Sequence, residues 1–404
     1  MKLIFVVFCV IFSFTSYSQN KKTAKIKNGK WNAKLELNNT HDLPFFIVVK
    51  KKHVYIVNGD EWIKLDEVFL KNDSLHARFP YFNSELIFKF NKHELSGYFY
   101  NYAKGENYAI PFSAKKGNNP RFTSIKENGK SANIDGRWKV LFQPNTKFEY
   151  PAIGVFHQKK NTASGTFLTE TGDYRYLEGN VTEDSLMLSC FDGSHAFLFK
   201  AKVIEDSLYG HFLSGNHWEA EWSANRNNTF NLTSPEQLTY LKEGKELRFS
   251  LPQLNGDSLS FPNDDFKNKV VIIQIMGTWC PNCLDESKYY KELYDNYHSQ
   301  GLEIIAVSYE NGKSFSDYVA NVTRLKTKLN LDYTFLIGGS ASKGLASQHF
   351  NMLNSIISFP TSIFIGRDGK VKQIHTGFNG PGTGEYYLNY KQKTSSLIES
   401  LLAD

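Results

Sequence analysis

Apolar and polar residues alternate along most of the first half of the chain. FFIVVKK (45–51), KHVYIVN (52–58) and ELIFKFN (85–91) are examples, each bounded by Gly, Asn, Asp or Pro. Short runs of period two between turn residues predict antiparallel strands joined by tight turns. The pattern occurs twice. Gly29-Lys30-Trp31 opens one copy and Gly136-Arg137-Trp138 the other; NDSLHARF (72–79) matches EDSLMLSC (183–190), and HELSGYFY (93–100) matches EDSLYGHF (205–212). Aligning Trp31 with Trp138, Leu75 with Leu186 and Leu95 with Leu208 gives offsets of 107, 111 and 113 residues, so only short insertions separate the copies. Each copy holds about eight strand-like runs, and a meander of that size removes its edges by closing. The expected N-terminal region is all-β: two tandem antiparallel repeats, barrel-like or sandwich-like, over 28–120 and 133–225.

A polar stretch over 226–246 reads as a linker, and beyond it the period changes. VVIIQIM (270–276) is an apolar run with only Gln274 polar, as expected of a strand buried on both faces. Residues 284–299 follow with helical spacing, LEIIAVSYE (302–310) is a second buried strand, and 315–329 is a helix by its Phe315, Tyr318, Val319, Val322, Leu325 series. YTFLIG (333–338), TSIFIG (361–366) and KVKQIHTG (370–377) predict three further strands, the last two joined by a turn at Arg367-Asp368-Gly369, and a helix closes the chain near 384–402. This succession makes 247–404 an α/β domain.

The first residues, MKLIFVVFCVIFSFTSYSQ, set Lys2 before an apolar run, followed by small residues at Ser16 and Ser18. That is the layout of a secretory signal peptide over 1–18, and the run is shorter than the roughly 20 residues that span a bilayer. The mature protein is expected to be exported, soluble after cleavage, in the periplasm or cell envelope. Losing Cys9 leaves Cys190, Cys280 and Cys283, too few for a disulfide framework. Cys190, in the strand-like SLMLSCF, reads as a buried small apolar side chain. A net charge of +6 without a Lys/Arg block excludes a dedicated nucleic-acid binder. Aromatics at 15% fit the β-rich reading.

The sharpest motif is Trp279-Cys280-Pro281-Asn282-Cys283, where the VVIIQIM strand gives way to a helix. A first thiol there faces the free N–H groups and the positive end of the helix, which stabilise thiolate over thiol. Pro281 suits the first turn, where its missing N–H costs nothing. Cys280 is therefore the expected nucleophile and Cys283, one turn inside, the resolving thiol. A zinc site would need a second Cys/His pair, and the eleven His residues form no HxxH or HxxxH, so no metal or other cofactor is expected.

With LRFSLPQLNGDSLSFPNDDFKNKVVIIQIMGTWCPNC, EIIAVSYE and SFPTSIFIGRDGKV, residues 247–404 resemble the thioredoxin-fold domain of the TlpA/ResA class of exported thiol–disulfide oxidoreductases. The resemblance implies a cis-proline beside the dithiol, at Pro360 in Phe359-Pro360-Thr361, whose preceding backbone pairs with a partner's extended chain. It implies an acid after the second strand, at Glu310, to exchange a proton with Cys283. Met276-Gly277-Thr278 departs from the family, where an aromatic residue is common. The G-x-W opening of each β copy resembles that of lipocalin-type barrels.

The function these features imply is reduction of disulfides in client proteins, with a membrane-linked thiol donor restoring the dithiol. The β repeats would position the domain, recognise the client or bind a ligand of their own. Two other readings stay open: a thiol peroxidase of peroxiredoxin type, with antioxidant activity, and a β-domain binding protein with an accessory redox domain.

Overall fold

A computed structural model describes residues 26–38, 40–105, 107–122 and 131–404; the expected signal peptide, with Cys9, lies outside them. The first β copy forms nine strands: β1 (Gly29–Leu37), β2 (His41–Lys50), β3 (His53–Asn58), β4 (Glu61–Lys64), β5 (Glu67–Lys71), β6 (Ser74–Arg78), β7 (Ser84–Phe90), β8 (Glu94–Asn101) and β9 (Ala109–Lys116). Their order, β4-β3-β2-β1-β9-β8-β7-β6-β5, leaves the sheet open between β4 and β5, so it is a half-barrel. The second copy comprises β10 (Gly136–Phe142), β11 (Tyr150–Lys159), β12 (Thr162–Thr169), the short β13 (Gly172–Asp173), β14 (Leu177–Val181), β15 (Ser185–Phe191), β16 (Ala196–Ile204), β17 (Ser207–Ser214) and β18 (Trp218–Arg226). Here β18 returns to β10, and β12 pairs with both β11 and β14, so the meander closes into a barrel.

Matching residues do matching work in the two copies. The buried indole of Trp31 donates to the Lys27 carbonyl at 3.1 Å, and that of Trp138 to the Ile134 carbonyl at 2.9 Å. A buried indole N–H requires such a partner. Gly97 and Gly210 stand where a Cβ would come within 2.0 Å of the Ile87 carbonyl and 2.1 Å of the Lys200 carbonyl, so only glycine lets the neighbouring strand approach.

The closed barrel is filled by its own rings, among them Trp138, Phe142, Phe156, Phe167, Phe199 and Trp222. The half-barrel is filled partly from outside. Along β15, Leu186, Leu188 and Cys190 belong to the barrel core, whereas Phe191 belongs to the half-barrel's, with Leu198 and Leu213 of β16 and β17. The Phe191 ring lies 4.6, 5.5 and 4.8 Å from those of Phe45, Phe79 and Phe99. The seam is satisfied as well as apolar. The Asn58 side chain donates to the Phe191 carbonyl and accepts from its N–H, completing the backbone pairing a strand would give.

The expected linker packs closely on the C-terminal domain. Its short helix α1 (Pro235–Leu238) carries Glu236, bonded to His375 at 2.9 Å, and the hydroxyl of buried Thr239 accepts from Thr376 at 2.8 Å. A hairpin of β19 (Phe249–Pro252) and β20 (Ser258–Phe261) follows. The central sheet has β21 (Val270–Met276), β22 (Leu302–Glu310), β23 (Thr334–Ser340), β24 (Thr361–Ile365) and β25 (Val371–Thr376) in the order β23-β22-β21-β24-β25. β22 runs parallel to β21 and β23, and β24 antiparallel to β21 and β25. Its helices are α2 (Pro281–Tyr297), α3 (Phe315–Leu329), α4 (Lys343–His349) and α5 (Glu385–Ala403). This is the expected thioredoxin fold. All seven residues of β21 are buried, six of them apolar, and the seventh, Gln274, is bonded to Glu286.

Candidate active site

Cys280 caps the N-terminus of α2 and Pro281 occupies its first turn. The Cys280 sulfur accepts the Cys283 N–H at 3.3 Å, one of the donors a helix start leaves free. It also donates to the Phe359 carbonyl at 3.5 Å, across the cis Phe359–Pro360 bond from Pro360. Both cysteines are free thiols. Cys280 keeps 8% exposure and Cys283 none. Burial pushes the Cys283 thiol well above its ordinary value, reinforced by its bond to Cys280 and by the charge of Glu286, and opposed by a backbone bond with Gly277.

The approach to the dithiol is fixed by close contacts. The Trp279 indole donates to the Tyr309 carbonyl at 2.9 Å and meets the Phe359 ring edge-on at 6.0 Å. A Cβ on Gly277 would come within 2.5 Å of that indole nitrogen and 2.7 Å of the Tyr309 carbonyl, which explains the glycine at this departure from the family. Thr361 donates to the Ser358 carbonyl at 2.9 Å, and Gly377 N–H to the Pro360 carbonyl at 2.9 Å, so the proline loop is held on both sides.

Three buried acids stand near the motif: Glu310, Glu286 and Asp285, the last paired with Arg175. Glu310 ends β22 and spends its carboxylate on the loop before Cys280: it accepts from Thr278 N–H at 2.8 Å, from the Thr278 hydroxyl at 2.6 Å and from Ser308. Burial raises its pKa, while these bonds and Arg324 act the other way. Glu286, one turn after Cys283, was not singled out from sequence. Burial raises it to about 7, against donors from Gln274 at 2.8 Å and Ser362 at 3.0 Å. It is the acid whose charge acts on Cys283. The signal that could have found it is a carboxylate at i+3 from the second cysteine, on the face of α2 that must pack inward.

The β region builds the rest of the site. Ser194 donates to the Trp279 carbonyl at 3.2 Å, and Ser358 donates to the Thr171 carbonyl at 2.8 Å. A Cβ on Gly172 would sit 2.2 Å from the Asn282 amide, so the start of β13 lies against the second of the two residues between the cysteines. Behind α2, buried Arg175 joins three parts of the chain: Glu61 of the half-barrel at 2.6 Å, Asp192 of the barrel at 3.5 Å, and Asp285 of α2. Burial alone would raise Asp192, but His195 and Arg175 outweigh it and hold its carboxyl at about 2. A cleft of about 660 Å³ opens between the barrel mouth and Cys280. Cys190 is buried in the barrel, where desolvation pushes its thiol far up. Among the described residues, no group of three His, Cys, Asp or Glu side chains is placed to hold a metal ion, and no helix is long and apolar enough to cross a membrane.

The Redoxin family matches residues 242–388. Over 146 residues the chain is 32% identical to the thiol-disulfide oxidoreductase ResA of Bacillus thuringiensis subsp. konkukian, covering 36% of this chain and 76% of that protein. Over 115 residues it is 32% identical to ResA of Geobacillus thermodenitrificans, covering 28% of this chain and 58% of that protein. The matched region thus spans between about half and three quarters of these relatives' length. A thiol:disulfide interchange protein from Chlorobium tepidum TLS aligns at a TM-score of 0.30 and 20% identity, over 39% of this chain and 94% of that one. The chain belongs to the ResA family of thiol-disulfide oxidoreductases.

Proposed function

We propose that the protein reduces disulfides of client molecules through Cys280 and Cys283, as an exported protein whose residues 1–18 are removed. The observation that carries this reading is the asymmetry of the pair. The Cys280 sulfur takes a free helix N–H and keeps an opening, while the Cys283 thiol is sealed and pushed up by burial. Cys280 as thiolate attacks one sulfur of the client disulfide and expels the other as thiolate. Cys283 then gives up its proton, attacks the Cys280 sulfur, and releases the client's second sulfur. Glu286, with a pKa near neutrality, is placed one turn away to take that proton. Glu310 is the second candidate for the relay. Its bonds to Thr278 also make it a positioning residue for the loop before Cys280. Pro360 shapes the wall beside Cys280, and Phe359 presents there the carbonyl that the thiol already contacts. The oxidised pair needs reduction by a thiol donor, proposed to be membrane-linked. The names of the relatives support the same reaction class.

The test uses a Cys283→Ser variant and a peptide disulfide. The variant is expected to accumulate one mixed disulfide on Cys280, seen as a mass increase of half the peptide, while the unaltered chain turns over to its internal disulfide. No adduct on Cys280 would contradict the reading.

A further inference from the structure

From the cleft between the barrel mouth and the dithiol we infer that this protein acts on peptide-sized disulfides carrying an aromatic or apolar body and a free carboxylate, and excludes the disulfides of folded proteins. The inference rests on the oxidoreductase reading and narrows its client class. The cleft, about 660 Å³, falls in the roughly 300–1,000 Å³ range of small-ligand sites. One wall is Cys280 with Trp279, Pro281, Asn282 and Phe359; the other is the ring-lined mouth of the closed barrel, with Tyr150, Tyr174, Phe197, Phe212 and Trp218. Since the barrel interior is packed with its own side chains, the mouth is where a ligand finds room.

The barrel is not a loosely tethered neighbour. Ser194 bonds the residue before Cys280, Thr171 bonds the residue two before Pro360, and Arg175 ties barrel, half-barrel and α2 behind them. The wall therefore stays in place while Cys280 reacts, and a folded surface cannot be pressed flat against a cysteine that is 8% exposed. A short, flexible disulfide can enter.

The charges at the rim give the second half of the argument. Lys104 lines the cleft on the Trp279 side and its ammonium lies 3.2 Å from the His217 ring. Burial, with Lys104 beside it, lowers His217 to about 4, so the imidazole is neutral at neutral pH and can accept from the ammonium without offsetting its charge. The carboxylate that acts on Lys104, Asp192, is already engaged by His195 and Arg175. On the Asn282 side, Asp173 accepts from Gly380 and Arg175 N–H groups, which leaves Glu170 as the acid at that lip. A cation over an aromatic-lined cleft suits a carboxylate on an aromatic or apolar body.

The reaction balances without a bound cofactor. The client disulfide R–S–S–R′ and the protein dithiol become R–SH, R′–SH and the Cys280–Cys283 disulfide. Two electrons and two protons pass to the client, and a dithiol donor later restores the pair.

The test is a single-turnover stopped-flow series with the pre-reduced full-length chain. The probes are dithiobis(nitrobenzoate), an aromatic disulfide with carboxylates, and folded ribonuclease A. The expected rate rises hyperbolically with the aromatic disulfide, and ribonuclease A is reduced far more slowly. Trp218→Ala and Lys104→Gln, both at exposed positions, should each raise the half-saturating concentration about fivefold, the scale of one aromatic or cation contact. Tyr98→Ala, an exposed ring outside the cleft, should leave it unchanged. A linear concentration dependence, unchanged half-saturation in both cleft variants, or comparable rates with ribonuclease A would overturn the inference while leaving the oxidoreductase reading intact. Reduction of neither probe would overturn both.

Discussion

The two β copies start from the same strand pattern and end differently. Residues 136–226 close on themselves and fill the interior with their own rings, whereas residues 29–116 stay open between β4 and β5 and take Phe191 from the sister copy. Closure satisfies edges locally. An open sheet must find its missing apolar contacts elsewhere, and here it finds them on the outer wall of the barrel. The half-barrel thereby becomes a bracket. Its concave face grips the barrel, Glu61 at its rim reaches Arg175, and Asp66 pairs with Lys328 of α3. The open copy fixes the barrel against the dithiol, and the closed copy supplies the wall that faces it.

The sharpest way to break this arrangement is Arg175→Met. It leaves Glu61, Asp192 and Asp285 without their shared cation, and breaking a buried pair costs about 3–5 kcal/mol, with this shared hub expected at the upper end. Urea unfolding should show the loss. Phe191→Ala should cost about 3–5 kcal/mol as a buried ring deletion, and it should act on one copy more than the other. Limited proteolysis is expected to cut within 29–116 before 136–226; the reverse order would mean that the half-barrel stands by itself.

Two acids separate the reactive region from its support. Glu286→Gln should slow resolution of the mixed disulfide by about 100-fold, the lower range for a lost proton-transfer group, with the first attack little changed. Glu310→Gln keeps the shape and removes the charge near Thr278. If Glu310 relays the Cys283 proton, it too slows resolution alone; if it only holds the loop, it alters both steps together. Stopped-flow with a disulfide peptide resolves the two steps. The pH dependence of stability supplies a further check. Asp192 is held at about 2, below its unfolded value near 3.9, so the stability it contributes is present above that value and lost as pH falls through about 2. Asp192→Asn should flatten the acid limb of the unfolding curve in that window.

The smallest effects compare the matched tryptophans. Trp138→Phe leaves the carbonyl of buried Ile134 without its donor, at about 1–3 kcal/mol, whereas Lys27 is exposed and water can replace the indole, so Trp31→Phe should cost about 0.5–1.5 kcal/mol for the lost bond. Equal losses in thermal unfolding would show that the two copies bury their openings alike.

What could be read from the sequence was local. The run at 270–276, the helix after Cys280 and the alternating runs of both copies carry their periods in neighbouring residues, and the α/β and all-β readings follow from them, while the thioredoxin reading comes from the resemblance around the cysteine motif. The cysteine motif is local as well. The contacts that set the site in its surroundings are not. Phe191 looks like any strand residue until the partner sheet is present, and Arg175 sits in a loop whose partners lie 114 and 110 residues away. Closure of one copy and not the other depends on whether the third strand reaches the fifth, as β12 reaches β14, which alternation does not encode. Glu286 was hidden because a charge on an inward helix face runs against the apolar pattern used to find that face. Glu310 could be placed at the end of its strand, but not its bonds to Thr278.

The central claim is the asymmetry of the two thiols, and mass-resolved alkylation of the fully reduced full-length chain with iodoacetamide tests it most directly. The account predicts that Cys280 is labelled first across the neutral range, and that Cys283 follows only at higher pH or after unfolding, since burial holds its thiol protonated. Labelling of Cys283 at the same rate as Cys280, or ahead of it, in the folded protein would contradict it.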